Sequence, residues 1–139
     1  MMTRSGSVDP GALLYVQRAY GLSVDEVDRA LNEESGLEGL SGGRGLRALE
    51  AAAQDDELAQ LALGVYTYRI AGAVATMAAT LGGLDAVAFT AGVGEHSAPV
   101  RRAVCARLAF LGVALDPGLN ERSAPDADVA KLDSRVRVL

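Results

Sequence analysis

The chain has 139 residues, of which 50% are hydrophobic and 22% charged, and its net charge is −5. This length suits a domain with its own core, and the composition excludes a disordered chain. The acidic balance argues against general nucleic-acid binding, the one cysteine excludes a disulfide framework, and the one histidine excludes a His–His metal motif. Arg69 interrupts the longest apolar run, and the first seven residues contain no apolar stretch of the kind found in a signal peptide. We therefore expect a cytoplasmic protein with no membrane or nucleic-acid partner.

The pattern in the first part of the chain predicts helices. Asp9-Pro10 predicts the start of a helix that ends at Gly21, and Ser23 with Glu26 forms a capping-box pattern for a second helix to about residue 34. Five glycines favour a loop over residues 35–45. A helical pattern then covers 46–81 with a break near 54–56, and its second part is apolar on most sides, which predicts a central, buried helix.

The second part of the chain mixes short strands with helices. Residues 85–90 predict a buried strand, 91–96 a glycine turn, and Ser97 the cap of a helix that runs to Leu111. Residues 113–115 and 135–139 predict two further short strands, and 116–118 predict a turn. We expect an α/β fold, rich in helices and with few strands.

The glycine turn is the strongest chemical feature. Gly92 and Gly94 would let the backbone approach a ligand, and the helix start that follows would attract phosphate. The segment has no Walker A sequence, Ser97 stands where a dinucleotide motif has its third glycine, and no acidic residue follows on a second strand. The pattern alone leaves a nucleotide site and a purely structural turn both open.

Arg4 lies in a polar, glycine-containing segment just before the first helix. An arginine there can stabilise the charge on a phosphoryl group during transfer. The alternative for this side chain is a solvated residue near the N-terminus.

Six segments together resemble the acetate kinase family, which also includes propionate kinases. They occur in order and cover nearly the whole chain, and the most specific is Phe-Thr-Ala-Gly-Val-Gly-Glu at 89–95. The segments are 3–10, 36–42, 68–70, 82–95, 100–101 and 110–116.

The resemblance implies ATP-dependent phosphorylation of acetate to acetyl phosphate on a partial actin-like, ribonuclease H-like ATPase fold. Arg4 matches the family's transition-state arginine and Arg47 an arginine beside the adenosine. The segment that matches the family's nucleotide contacts comprises Gly92, Val93, Gly94, Glu95 and His96. ATP and Mg²⁺ are the implied cofactors. The implied ligands are ATP or ADP and acetate or another short acyl carboxylate, with a homodimer as the implied assembly.

Several positions depart from the family pattern. Met2 replaces a glycine, and Gly45 and Leu46 replace an acidic and a larger apolar residue beside the adenosine site. His96 replaces an asparagine, which leaves a phosphate contact and simple sequence drift both open. Glu95 has two interpretations, a metal approach through water and a role in holding the turn. No residue here is assigned as a metal ligand, because the family's magnesium-associated glutamate has no match.

Members of the family are far longer than this sequence. We therefore expect residues 1–139 to be a C-terminal domain truncated at both ends, without the N-terminal kinase domain and inactive by itself. The alternatives are a subunit of a split kinase and a non-catalytic module for nucleotide binding or dimerisation. We also expect Cys105, Tyr66 and Tyr68 to be packing residues, and the isolated chain to be marginally stable or to self-associate.

Overall fold

The computed structural model describes residues 2–122, 124 and 126–139. It divides into two compact units, Met1–Tyr66 and Thr67–Leu139. The first unit contains helices α1 to α4 and the beginning of α5, and their bounds are Pro10–Tyr20, Val24–Asn32, Gly36–Ser41, Leu46–Ala52 and Glu57–Leu81.

The first two helices begin as predicted, and α1 also ends as predicted, whereas α2 ends at Asn32, two residues before its predicted end. The Asp9 carboxylate accepts a hydrogen bond from the backbone N–H of Ala12 at 3.1 Å, and α1 ends at Gly21, whose φ of 66° is in the left-handed region. At α2 the predicted capping box forms: Ser23 Oγ accepts from the Glu26 backbone, and Glu26 accepts from the Ser23 backbone at 2.7 Å. These hydrogen bonds join residues three positions apart, so the local sequence is enough to predict them.

The predicted loop over 35–45 is wrong, because α3 forms within it. Leu37 is 2% exposed and anchors this helix in the unit. A Cβ at position 39 would lie 2.3 Å from the Glu34 carbonyl oxygen, so Gly39 is required by a close approach and not by a flexible loop. Burial of Leu37 and this close packing outweigh the low helix propensity of glycine.

The predicted break before α5 is confirmed. The Asp56 carboxylate accepts hydrogen bonds from the backbone N–H groups of Leu58 and Ala59 at 2.9 and 3.0 Å. Arg44 forms an ion pair with the same carboxylate. The hydrogen bond from Arg44 is the largest cause that holds the pKa of Asp56 below its ordinary value.

The prediction that α5 is buried is wrong. The buried positions carry small side chains such as Ala59, Ala62 and Ala71, whereas Leu61 is 57% exposed and Leu81 is 74% exposed. Alanines thus occupy most of the buried positions of this helix, whereas several of its larger apolar side chains are exposed. By length and composition α5 also meets the criterion for a membrane span, with a mean hydropathy of 1.2 over 18 residues, but core helices of soluble proteins meet it too.

The second unit contains a small parallel sheet. Strand β1 (Ala86–Val87) pairs with β2 (Arg137–Val138), with Ala86 opposite Arg137 and Val87 opposite Val138. The predicted strands at 85–90 and 135–139 are thus present but shorter. Residues 113–115 form only isolated bridges, Val113 to Val136 and Leu115 to Ala130. The core beside the sheet is aliphatic and includes Val87, Val104, Leu108, Val113, Val136 and Val138.

Three helices and a 3₁₀ turn complete this unit. They are α6 (Ala91–His96), α7 (Ala98–Arg107), the 3₁₀ turn Ala109–Leu111 and α8 (Pro117–Glu121). The predicted turns at 91–96 and 116–118 are wrong, because both segments belong to short helices. Asp116 caps α8 by accepting from the Leu119 backbone at 2.9 Å. The predicted Ser97 cap is confirmed, since its Oγ accepts from the Val100 backbone at 3.1 Å.

Candidate functional site

The backbone turns sharply between β1 and α6. Thr90 is extended, with φ −126° and ψ 169°, and the next residue, Ala91, has a φ of 61°. An alanine in the left-handed backbone region costs about 1–2 kcal/mol relative to the right-handed region. Tertiary contacts must therefore stabilise the turn at Ala91. The sequence contains no signal for it, because alanine shows no preference for positive φ.

The two glycines of α6 have different surroundings. A Cβ on Gly94 would lie 3.0 Å from the carbonyl carbon of Phe89 and 3.3 Å from its Cα. A Cβ on Gly92 would meet nothing within 4 Å, and Gly92 is exposed. Gly94 is therefore needed for packing against the strand end, whereas Gly92 leaves open space at the amino-terminal side of α6.

The carboxyl-terminal end of α6 is held by Arg101 from α7. Arg101 is 4% exposed, and one guanidinium nitrogen donates to the carbonyl oxygens of Gly94 and Glu95 at 2.8 and 2.7 Å. Its other nitrogens donate to the side-chain and backbone oxygens of Asn120 at 2.7 and 2.8 Å. The Asn120 amide in turn donates to the Ala98 carbonyl at 3.0 Å. Sequence reasoning assigned no role to Arg101 or Asn120.

Glu95 and His96 are both exposed at the end of α6. The main-chain carbonyl of Glu95 accepts the hydrogen bond from Arg101, and its side chain extends from the exposed surface of α6. Within residues 2–122, 124 and 126–139, no group of three or more His, Cys, Asp or Glu side chains is arranged to hold a metal ion. A metal site made of three or more such side chains is therefore absent from the described residues.

Arg4 lies in the other unit on a backbone segment that is held on both sides. Ser5 donates to the Leu31 carbonyl at 2.9 Å, and the Thr3 carbonyl accepts from the Ser35 backbone at 2.8 Å. The Arg4 side chain itself is exposed. An exposed guanidinium on a fixed backbone can meet an anionic ligand without first leaving a buried partner.

Arg47 is the second residue of α4 in the same unit as Arg4, and it is also exposed. Leu46 and Leu49 are buried and anchor α4. The loop before α4 is held by Arg44, whose Nε donates to the Ser41 carbonyl at 3.0 Å while the guanidinium pairs with Asp56. Five of the predicted site residues, 92–96, are thus contiguous in α6, and the two arginines belong to the unit Met1–Tyr66.

The remaining residues singled out from the sequence have structural surroundings. Cys105 is 3% exposed, and burial raises the pKa of its thiol to about 11, so its prediction as a packed residue is confirmed. Tyr66 is half-buried, and this burial raises its pKa. The packing prediction is wrong for Tyr68, which is 62% exposed and lies 5.7 Å from the Arg107 guanidinium carbon.

Comparisons with known proteins identify similar sequences and similar solved structures. The chain is 52% identical to acetate kinase of Gloeobacter violaceus and 50% identical to acetate kinase of Acaryochloris marina, each over 141 aligned residues. The crystal structure of Porphyromonas gingivalis acetate kinase matches with a TM-score of 0.91 at 39% identity over 99% of this chain. A propionate kinase structure from Francisella tularensis matches with a TM-score of 0.90 at 35% identity over the whole chain.

These matches confirm the predicted fold class, an α/β, helix-rich part of an actin-like ATPase fold. The chain spans only 35% of the length of those curated relatives and 35–36% of those solved structures. The model of the Acetokinase family matches residues 1–139. The chain belongs to the acetokinase family.

Proposed function

We propose that this chain supplies the nucleotide-binding part of an acetate kinase reaction, in which ATP phosphorylates acetate to acetyl phosphate. One observation carries the proposal. The segment most specific to the family, 89–95, leads into a helix whose carboxyl-terminal carbonyls are tied to Arg101 while its Gly92 side is open to solvent. A rigid backbone with an open glycine face suits the close approach of a phosphate-bearing ligand.

The roles proposed for the site residues follow the family pattern. Gly92, Val93, Gly94, Glu95 and His96 contact the nucleotide, Arg47 lies beside its adenosine, and Arg4 stabilises charge on the phosphoryl group in transfer. Such a transfer depends on positioning and charge neutralisation more than on a covalent nucleophile. The exposed side chains of both arginines are compatible with these roles.

Members of the family use ATP and Mg²⁺. Because the described side chains offer no metal cluster, we assign no metal-ligating residue and no step through the ion. Mg²⁺ commonly keeps several waters and binds through substrate phosphates with one or two carboxylates, so the nucleotide itself would supply much of its coordination. The acyl substrate is a short carboxylate, since the relatives include both an acetate kinase and a propionate kinase.

The 139 residues by themselves are proposed to bind nucleotide without completing the reaction, because they span 35% of the length of the acetate kinases that they match. The remaining catalytic groups would come from an N-terminal kinase domain, either on the same polypeptide or as a separate subunit of a split kinase. The cytoplasm, where ATP and short carboxylates are available, is the proposed location.

Calorimetric titration of the 139-residue polypeptide with ATP and Mg²⁺ tests this proposal, alongside a hydroxamate assay for acetyl phosphate. We expect a heat of binding and no acetyl phosphate. Arg47→Ala should weaken ATP binding, whereas Arg18→Ala, which removes an exposed arginine from α1 in the same unit, should not. The absence of any heat with the wild-type chain would exclude the nucleotide site, and acetyl phosphate formed at an ordinary kinase rate would exclude the incomplete-site part.

Exposed apolar side chains along α5 support a second candidate role, self-association. Leu58, Leu61, Tyr68, Met77 and Leu81 are all between 46% and 74% exposed on this one helix. Large apolar side chains concentrated on one element are typical of a surface that is covered by another protein. Sedimentation velocity should show a dimer that Leu61→Glu weakens and the neighbouring control Gln60→Glu leaves intact. A monomer at every concentration would exclude this role.

A further inference from the structure

Arg101 occupies an unusual place for a charged side chain. It is 4% exposed, and the four hydrogen bonds described above go to neutral oxygen atoms. Three of these four acceptors are main-chain carbonyls, and the other is the side-chain amide oxygen of Asn120. A buried guanidinium is costly to desolvate, so this arrangement is retained only if the hydrogen bonds compensate.

The acceptors lie at the ends of two short helices. Gly94 and Glu95 are in the last turn of α6, and Asn120 is the penultimate residue of α8. Carbonyls at a helix carboxyl terminus lack intrahelical hydrogen-bond partners and carry the negative end of the helix dipole. A cationic donor there supplies the missing hydrogen bonds and neutralises the negative charge. One planar side chain on α7 thereby joins the ends of α6 and α8.

α6 depends on such contacts more than a longer helix would. It has six residues, whereas isolated helices shorter than about 12–15 residues are marginal in water. It also begins at a left-handed alanine, and the side chain of its N-cap residue, Thr90, makes no capping hydrogen bond. The local sequence therefore offers α6 little stability of its own.

We infer that Arg101 is a positioning residue, which fixes the orientation of α6 through the Gly94 and Glu95 carbonyls and is itself oriented by Asn120. This inference rests on the proposed function in one respect: α6 is the segment assigned to the nucleotide. Arg101 does not touch the ligand. Its hydrogen bonds fix the position of the α6 backbone, including the open side at Gly92. Loss of the Arg101 side chain therefore weakens nucleotide binding indirectly, by letting this backbone move.

The adjacent residue on α7 provides a matched control. Arg102 is exposed and pairs with Glu121 of α8, so it too links α7 to the end of α8, but none of its described contacts reaches α6. Arg101→Met and Arg102→Met remove the same charge from neighbouring positions. Only the first removes the hydrogen bonds to the carbonyls of α6.

Amide hydrogen exchange on the whole chain tests the inference without requiring catalysis. In Arg101→Met, exchange at residues 95–97 should rise by about tenfold or more, because hydrogen bonds to a charged group are lost. The reference amides of Phe89 and Leu108, which bond to Leu139 and to the end of α7, should change far less. An increase at 95–97 that is no larger than at the reference amides would overturn the inference, as would an equal increase in Arg102→Met.

Arg101→Lys keeps the design informative if Arg101→Met fails to fold. Lysine retains the charge but lacks the fork that reaches the two helix ends together, so exchange at 95–97 should lie between those of wild type and Arg101→Met. Exchange identical to wild type would show that the fork does not hold α6 and would overturn the inference.

ATP titration of the same variants tests whether the hydrogen bonds of Arg101 to α6 affect nucleotide binding. Affinity should fall by about tenfold in Arg101→Met and remain unchanged in Arg102→Met. Unchanged affinity in Arg101→Met, with a wild-type chain that binds ATP, would overturn the link to the nucleotide. If the wild-type chain binds no ATP, the proposed function fails, and the exchange data still decide whether Arg101 positions α6.

Discussion

A comparison of Gly94→Ala with Gly92→Ala measures how tightly α6 is packed against the end of β1. Both glycines lie in the same short helix, and both substitutions add one methyl group with the same intrinsic gain in helix propensity. Their difference in unfolding free energy therefore isolates the steric cost at Gly94, because the propensity and unfolded-state contributions largely cancel.

The structure predicts the sign and size of that difference. The added Cβ at position 94 would lie 3.0 Å from the Phe89 carbonyl carbon and 3.3 Å from both its Cα and Cβ. Carbon atoms prefer a separation of about 3.5–4.0 Å, so Phe89 would have to move by roughly 0.5 Å. The backbone N–H of Phe89 is bonded to the Leu139 carbonyl at 2.7 Å, so this movement strains the sheet. Overpacking of this kind costs about 1–3 kcal/mol.

Gly92→Ala meets no atom within 4 Å and should stabilise α6 by up to about 1 kcal/mol. Gly94→Ala should therefore unfold at a urea concentration lower than Gly92→Ala by roughly 0.5–1.5 M, for a slope of about 2 kcal/mol/M. Circular dichroism and exchange at the Phe89 amide would follow the transition. If Gly94→Ala were as stable as Gly92→Ala, the close approach to Phe89 would be wrong. ATP titration adds a functional result, since Gly92→Ala should stay folded yet bind ATP more weakly.

Three further predictions follow from the buried and capping side chains. Burial raises the pKa of the Cys105 thiol to about 11 in the folded state, so with rising pH this thiol ionises in the unfolded chain before it ionises in the folded one. Stability should be full below pH 9 and fall by up to about 3 kcal/mol as the pH rises through 11, a decline that urea titrations of Cys105→Val should lack. The pKa of Asp56 in the folded state is lower than its ordinary value of 3.8, so the ionised carboxylate stabilises the fold above pH 3.8. This stabilisation is lost as the pH falls through the lower pKa of the folded state. Thermal melts of Asp56→Asn should show less acid dependence there, and equal dependence would count against the Arg44 pair. Ser97→Ala should cost about 1 kcal/mol by loss of the α7 cap, measured as a lower urea midpoint; an unchanged midpoint would contradict it.

The sequence predicted the features that depend on near neighbours along the chain. Asp9, Ser23 with Glu26, and Ser97 cap helices through hydrogen bonds that span three residues, and Gly21 ends α1 because glycine accepts a positive φ. The positions of α1, α2, α5 and α7 and of the two strands of the sheet also agree with the sequence pattern. The family followed from the 89–95 segment and the other matching segments, which no composition argument could have supplied.

The sequence pattern did not predict the short helices or the exposure of the large apolar side chains of α5. The glycine-rich segments of α3 and α6 suggested loops, because propensity was the only local information available. The structure makes them helices through the burial of Leu37 and the hydrogen bonds of Arg101 to the carbonyls of α6. Similarly, α5 is apolar on most sides, and the pattern alone could not distinguish a buried helix from one that packs through alanines and exposes Leu61.

The family, several helix caps and the candidate nucleotide segment were therefore predictable from the order of the amino acids. The three-dimensional structure was needed to show that this segment is a helix, that Gly94 is confined and Gly92 is open, and that Arg101 bonds to the carbonyl end. The physical reason is the range of the interactions. Caps and turns join residues a few positions apart, whereas the contact of Arg101 with Asn120 joins side chains 19 positions apart, which no local pattern records.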